Sequence, residues 1–196
     1  MLEEISKFGK KLVERGYVTS HGGNISVRQG DKILITRRGC MLDEIRKDDL
    51  IETDLEGTDS KTLLASTDIR IHREIYKETS ALAVIHCHSP YAVVLSLSYD
   101  EIIPIDMEGD YFLHKIPIVE GPIGGEILAK KVSSTLKENK GVIARGHGTF
   151  AIGRLLEEAY QVISLIEHSC MIKYLFDLYG REIKGKIIKE ERHKRW

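Results

Sequence analysis

Cysteine is scarce: the 196-residue chain holds three, Cys40, Cys87 and Cys170. An odd number without metal-type spacing excludes a disulfide framework and fits reduced, buried thiols, so a cytoplasmic location is expected. Long apolar runs are also lacking. None approaches the ~20 residues that span a bilayer, and MLEEISKFGKK at the start reads as an amphipathic helix rather than a signal sequence, so no membrane partner is expected. Nor does either sign of charge dominate. Interspersed basic and acidic residues, 29 against 30, argue for an ordinary soluble surface and against a nucleic-acid footprint, the basic tail from Lys184 excepted. Internal repeats and low-complexity segments are absent. What remains, with 42% hydrophobic residues, is enough for one α/β domain over 1–196 with a proper core.

Periodicity sorts the chain into elements. Leu2, Ile5, Phe8, Leu12 and Val13 recur at helical spacing and Gly16 ends that helix. Ile25 to Arg28 and Ile33 to Thr36 read as strands joined by a hairpin through Gln29-Gly30-Asp31, and Leu50 to Thr53 as a third. Ser66 or Thr67 can cap a helix through Ile69, His72, Ile75 and Tyr76. Ala81 to His88 and Val142 to Ala144 are apolar strands, and Ser89-Pro90 opens a helix to Ser98. Ile102 to Met107 is strand-like, followed by Glu108 to Phe112 and the run Lys115 to Val119. A helix follows Gly124-Gly125 to about Glu138, and a long one from Leu155 to about Tyr179 closes the chain. No regular βαβ repeat emerges. The expected fold is an α/β/α sandwich around a mostly antiparallel central sheet.

The densest chemistry lies in ALAVIHCHSP. Alternation along a strand sends His86 and His88 to one face and Cys87 to the other, so both imidazoles can reach one ion at about 2.0–2.1 Å. His147, in VIARGHGTF, sits after another apolar strand and can add a third nitrogen, leaving an open coordination position. Three segments offer anion contacts. Ser66-Thr67-Asp68 opens a helix, although plain capping explains it as simply. Gly22-Gly23-Asn24 lets backbone approach a ligand, and Arg38-Gly39 brings a guanidinium suited to phosphate, although a solvated arginine is the usual case. Asp68 also reads as a general base near the metal. Glu108, Asp110 and Tyr111 form a second polar group, either a proton carrier on the other side of a substrate or a loop of surface acids. His72 reads as a core histidine and Cys87 as packing.

HGGNIS, ILITRRG, LASTDIRIHREIY, AVIHCHSPYA and RGHGTFAIG, in this order and spacing, resemble the class II aldolase/adducin family over most of the chain. The resemblance implies a C4 homotetramer with Zn2+ held at subunit interfaces by three histidines, here His86, His88 and His147. It puts Asn24, Gly39, Ser66 and Thr67 on the substrate phosphate, with Gly23 and Arg38 beside them as the further phosphate candidates, and Asp68 on the catalytic carboxylate. L-fuculose-phosphate aldolases carry Glu at the Asp68 position, whereas Asp there resembles the L-ribulose-5-phosphate 4-epimerases, as does Gly109 to Phe112 with Asp110. Arg38 replaces a small hydroxyl residue usual before the glycine, and the carboxyl end lacks the tyrosine that completes the epimerase site. Methylthioribulose-1-phosphate dehydratases share the zinc and use a Glu, for which Glu108 is the candidate. The resemblance therefore implies a zinc-dependent aldolase cleaving a phosphorylated ketose of the L-fuculose type, with epimerase and dehydratase as alternatives and a non-enzymatic adducin-like head disfavoured by the intact histidines. Asp110, Glu108 or Tyr111 would serve the aldehyde side, and the basic tail would reach a neighbouring site.

Overall fold

In the computed structural model, which describes residues 1–57 and 60–179, eight strands form one sheet in the order β3-β2-β1-β4-β8-β7-β6-β5. The strands are β1 (Asn24–Gln29), β2 (Lys32–Thr36), β3 (Leu50–Asp54), β4 (Ala83–Cys87), β5 (Glu101–Ile102), β6 (Ile116–Val119), β7 (Gly141–Ala144) and β8 (Gly148–Gly153). Every pair is antiparallel except β6 with β7. The helices are α1 (Leu2–Glu14), α2 (Ile69–Glu78), α3 (Pro90–Ser96), α4 (Met107–Leu113), α5 (Glu126–Thr135) and α6 (Leu156–Tyr179). The expected α/β/α sandwich is the observed one.

Local chemistry explains most of the boundaries. Gly16, at φ 69°, ends α1 with two backbone bonds returning to the last turn. Gly30, at φ 62°, turns the β1–β2 hairpin so that Gln29 faces Lys32. The pleat then divides the core. Ile25, Val27, Ile85, Cys87, Ile143 and Ala151 face the layer of α1, α3 and α6. Ile33, Ile35, Val84, Val142, Phe150 and Ile152 face α2 and α5. The one-sided burial of both sets fixes the register, because a slip of one residue would exchange the faces.

Two expectations fail. Ile102 to Met107 does not continue as a strand: only Glu101–Ile102 pairs, and the chain leaves the sheet at Pro104, which has no N–H to give the ladder. The Asp106 carboxylate accepts the Gly109 N–H at 2.7 Å and starts α4, so Glu108, Asp110 and Tyr111 stand on a helix packed against α6. At α2, Asp68 rather than Ser66 or Thr67 takes the cap position, and the Ser66 hydroxyl accepts the Asp68 N–H at 3.3 Å. The basic tail from Lys184 lies outside the described residues. Among those described, no helix is long and apolar enough to cross a membrane.

Candidate active site

His86 lies on β4 and His88 one residue past its end, while His147 lies in the turn between β7 and β8. Since β4 pairs with β8, that turn comes to the same end of the sheet. The three rings meet there with centroids 4.7–5.0 Å apart, and one ligand nitrogen from each lies within 4.8 Å of the others. His86 Nε2 and His88 Nε2 are 3.1 Å apart. Two ligands at about 2.05 Å on a tetrahedral ion stand about 3.3 Å from each other, so this pair already has the spacing of one edge. His86 Nδ1–H donates to the Thr149 carbonyl at 3.1 Å, which fixes the tautomer and leaves the Nε2 lone pair for a ligand. His147 Nδ1 is buried without a hydrogen-bond partner among the described residues. Burial, and then the neighbouring imidazoles, hold His86 well below the ordinary histidine range; burial also lowers His88 and His147, against the upward pull of Asp68. All three are therefore neutral near pH 7, the form that binds metal. The donor set fits a divalent cation that favours nitrogen.

Close backbone packing supports the rings. Gly23 adopts φ 72°, and a Cβ on it would stand 2.6 Å from the His86 carbonyl oxygen; one on Gly148 would stand 2.2 Å from the Cys87 carbonyl oxygen. Asn24 pairs with His86 across the β1–β4 ladder, and its Nδ2 donates to Asp68 Oδ2 at 2.9 Å. That same oxygen lies 3.6 Å from His86 Nε2, while Asp68 Oδ1 and Asn24 Oδ1 are buried with no partner among the described residues. Orphaned acceptors beside a nitrogen cluster are costly unless a ligand or water joins them. The anion-contact segments assemble on the same side. The Ser66 N–H donates to the Thr36 carbonyl and the Arg38 N–H to the Leu64 carbonyl, which sets Arg38-Gly39 alongside Ser66. Gly39 is at φ 66°; Arg38 and Thr67 are exposed and Ser66 is buried.

The fold that carries these residues has counterparts elsewhere. A family profile described as the class II aldolase and adducin N-terminal domain matches residues 3–174. The chain belongs to the class II aldolase and adducin family. Within that family it is 34% identical over 175 residues to an L-fuculose phosphate aldolase from Methanocaldococcus jannaschii, covering 88% of this chain and 95% of that protein. A methylthioribulose-1-phosphate dehydratase from Komagataella phaffii is 29% identical over 177 residues, covering 79% and 74%. Among solved structures, L-fuculose-1-phosphate aldolase from Thermus thermophilus superposes with a TM-score of 0.88 at 30% identity, covering 94% of this chain and 98% of that one.

Other residues of this family member lie apart from the histidines. His86, Asn24 and Asp68 stand on the α2 side of the sheet, whereas Glu108, Asp110 and Tyr111 are on α4, which packs on α6 in the opposite layer. Glu108 lines a cavity of about 430 Å³ with Lys11, Tyr160 and His168. A roomier cavity, about 980 Å³, opens at the other end of the sheet beside Gly141 and Ile152 and holds none of the predicted site residues.

The structure adds site residues that the sequence reading did not name. Phe150 stacks on the His86 ring at 4.0 Å, and Thr149 supplies the carbonyl that orients it. Behind them, the Ser26 hydroxyl sits 2.7 Å from both His72 Nδ1 and the Tyr76 hydroxyl, a buried network that docks α2 on β1. The TFAI run after His147 was the available signal for β8, but its partner β4 lies 63 residues away along the chain, as the His86–Thr149 bond shows.

Proposed function

We propose that this protein is a zinc-dependent sugar-phosphate aldolase, working in the cytoplasm as a homotetramer, which reversibly cleaves a ketose 1-phosphate such as L-fuculose 1-phosphate into dihydroxyacetone phosphate and an aldehyde. The observation that carries the reading is the three-histidine cluster, with the Asp68 carboxylate held by Asn24 at its edge, in a chain 34% identical to an L-fuculose phosphate aldolase. In this reading His86, His88 and His147 hold Zn2+, and the whole of 1–196 acts as one domain. The ion supplies Lewis-acid polarisation of the ketose oxygens next to the bond that breaks. Asp68 takes and returns the proton at the substrate carbon or hydroxyl, with Asn24 fixing which carboxylate oxygen is free to do so. Gly23, Asn24, Arg38, Gly39, Ser66 and Thr67 bind and orient the phosphate. Because α4 is in the opposite layer, Asp110, Tyr111 or Glu108 would serve the aldehyde side only from a neighbouring subunit. Three free, buried cysteines support a reducing compartment.

The methylthioribulose-1-phosphate dehydratase relatives favour a second reading, in which the same cluster supports loss of water rather than carbon–carbon cleavage. Asp rather than Glu at position 68 gives the epimerase reading its support. The discriminating experiment supplies metal-loaded protein with L-fuculose 1-phosphate, L-ribulose 5-phosphate and methylthioribulose 1-phosphate in separate assays. Dihydroxyacetone phosphate release from the first is expected. Clean conversion of the second to D-xylulose 5-phosphate, or dehydration of the third without any triose phosphate release, would overturn the aldolase reading.

A further inference from the structure

Arg145 stands two residues before His147 and makes four charge-assisted bonds. Its guanidinium donates to the carbonyl of Ser96, the last residue of α3, at 2.5 Å, to the Tyr99 carbonyl three residues beyond it at 2.9 Å, and to Asp100 at 2.7 Å and Glu120 at 3.1 Å. The next residue joins the same end, for the Gly146 N–H donates to the Ser96 hydroxyl at 2.9 Å. The other end of α3 begins two residues after His88. There the buried Glu167 carboxylate accepts the Tyr91 and Ala92 N–H groups at 3.0 and 2.9 Å. Helix α3 is thus fastened next to one histidine at its start and next to another at its end.

We propose that Arg145 is a positioning residue for the three-histidine site: by clamping the β7–β8 turn to the end of α3, it sets the distance of the His147 nitrogen from those of His86 and His88. The inference rests on the reading of these histidines as metal ligands. The two carbonyl bonds carry the effect: the Ser96 carbonyl ends a helix and has no partner within it, and the Tyr99 carbonyl follows in the turn that leaves α3. The carboxylates contribute little, because Asp100 is fully exposed and Glu120 is 66% exposed. Lysine cannot replace the fork, having one ammonium to reach carbonyls and carboxylates on different sides.

The test measures Zn2+ dissociation constants by chelator competition, with the visible absorption of the Co2+-substituted protein and the melting temperature of the metal-free protein. Arg145→Ala is expected to weaken Zn2+ about tenfold or more and to alter the Co2+ band, and Arg145→Lys not to restore either. Ser96→Ala, which leaves Arg145 in place, is expected to weaken Zn2+ roughly two- to tenfold. Asp100→Asn with Glu120→Gln is expected to stay within twofold. A Zn2+ constant within twofold of wild type and an unchanged Co2+ band in Arg145→Ala would overturn the proposal. So would a loss of melting temperature without either change, which marks a purely structural cap. Should Arg145→Ala fail to fold, a wild-type constant and an unchanged Co2+ band in Arg145→Lys, which lacks the fork, overturn it instead. Wild-type protein that binds one Zn2+ but releases no dihydroxyacetone phosphate would sink the aldolase reading and leave this inference standing; wild-type protein that binds none would sink both.

Discussion

At the scale of single residues, the proposed roles of Asp68 and of the three histidines make separable predictions for turnover and for metal binding. Asp68 Oδ2 is engaged by Asn24 and Oδ1 has no partner among the described residues, so Asp68→Asn would remove the proposed proton acceptor while keeping the shape of the side chain. Its turnover should fall by about 10²–10⁴, with metal content by atomic absorption close to wild type. The double change His86→Ala with His88→Ala should instead abolish stoichiometric metal; full retention there would refute the ligand assignment. His72 gives the pH prediction. Burial lowers its imidazole to about 3 in the folded protein, whereas the unfolded chain takes up the proton near 6.5. Between those values the unfolded state binds more protons, so stability falls as pH drops from about 6.5 toward 3. Melting temperatures measured from pH 7 to 4 should drop less steeply in His72→Gln than in wild type, and identical slopes would rule out this source.

Elements show which parts of the site were legible in the sequence. Alternation at His86-Cys87-His88 predicted two rings on one face, and Cys87 does face the opposite core, where burial pushes its thiol up to about 12. The β1–β2 hairpin and the two long helices were legible for the same reason: their periodicity is local. Strand β8 was not, because its short apolar run is framed by glycines and one of its two neighbours, β4, is set by long-range pairing, although β7 joins it through a short turn. The Ile102 to Met107 run misled because its branched residues suit a strand, while Pro104 and the Asp106 cap end it. The Asn24–Asp68 bond joins residues 44 apart, beyond any local pattern. Strand β8 also yields a test. Gly148 passes so near the Cys87 carbonyl that a methyl group must push backbone against backbone. Gly148→Ala should destabilise the protein by about 1–3 kcal/mol in denaturant unfolding and weaken metal binding, since β4 and β8 part where the histidines meet.

The whole molecule poses the question of the acid that completes the reaction. A single chain gathers the nitrogens, Asp68 and the anion segments on one side of the sheet but leaves α4 and its acids on the other. Exposed apolar side chains border the same site. Leu63 is 77% exposed beside the Leu64 carbonyl that holds Arg38, Ile123 is 68% exposed next to Gly124 by the Thr67 carbonyl, and Leu97 is 64% exposed against Gly146. Large apolar groups left in water around a site are the expected trace of a surface that another copy of the chain covers. Assembly and catalysis should then fail together while metal binding survives. Wild-type protein should sediment at about four times the 22.2 kDa chain mass, and Leu63→Glu with Ile123→Glu should shift it toward the monomer. That variant should lose most of its turnover yet keep its metal, because the three histidines come from one chain. A monomeric variant with full activity would show that the site is complete within a single subunit and would remove α4 of a neighbour from the reaction.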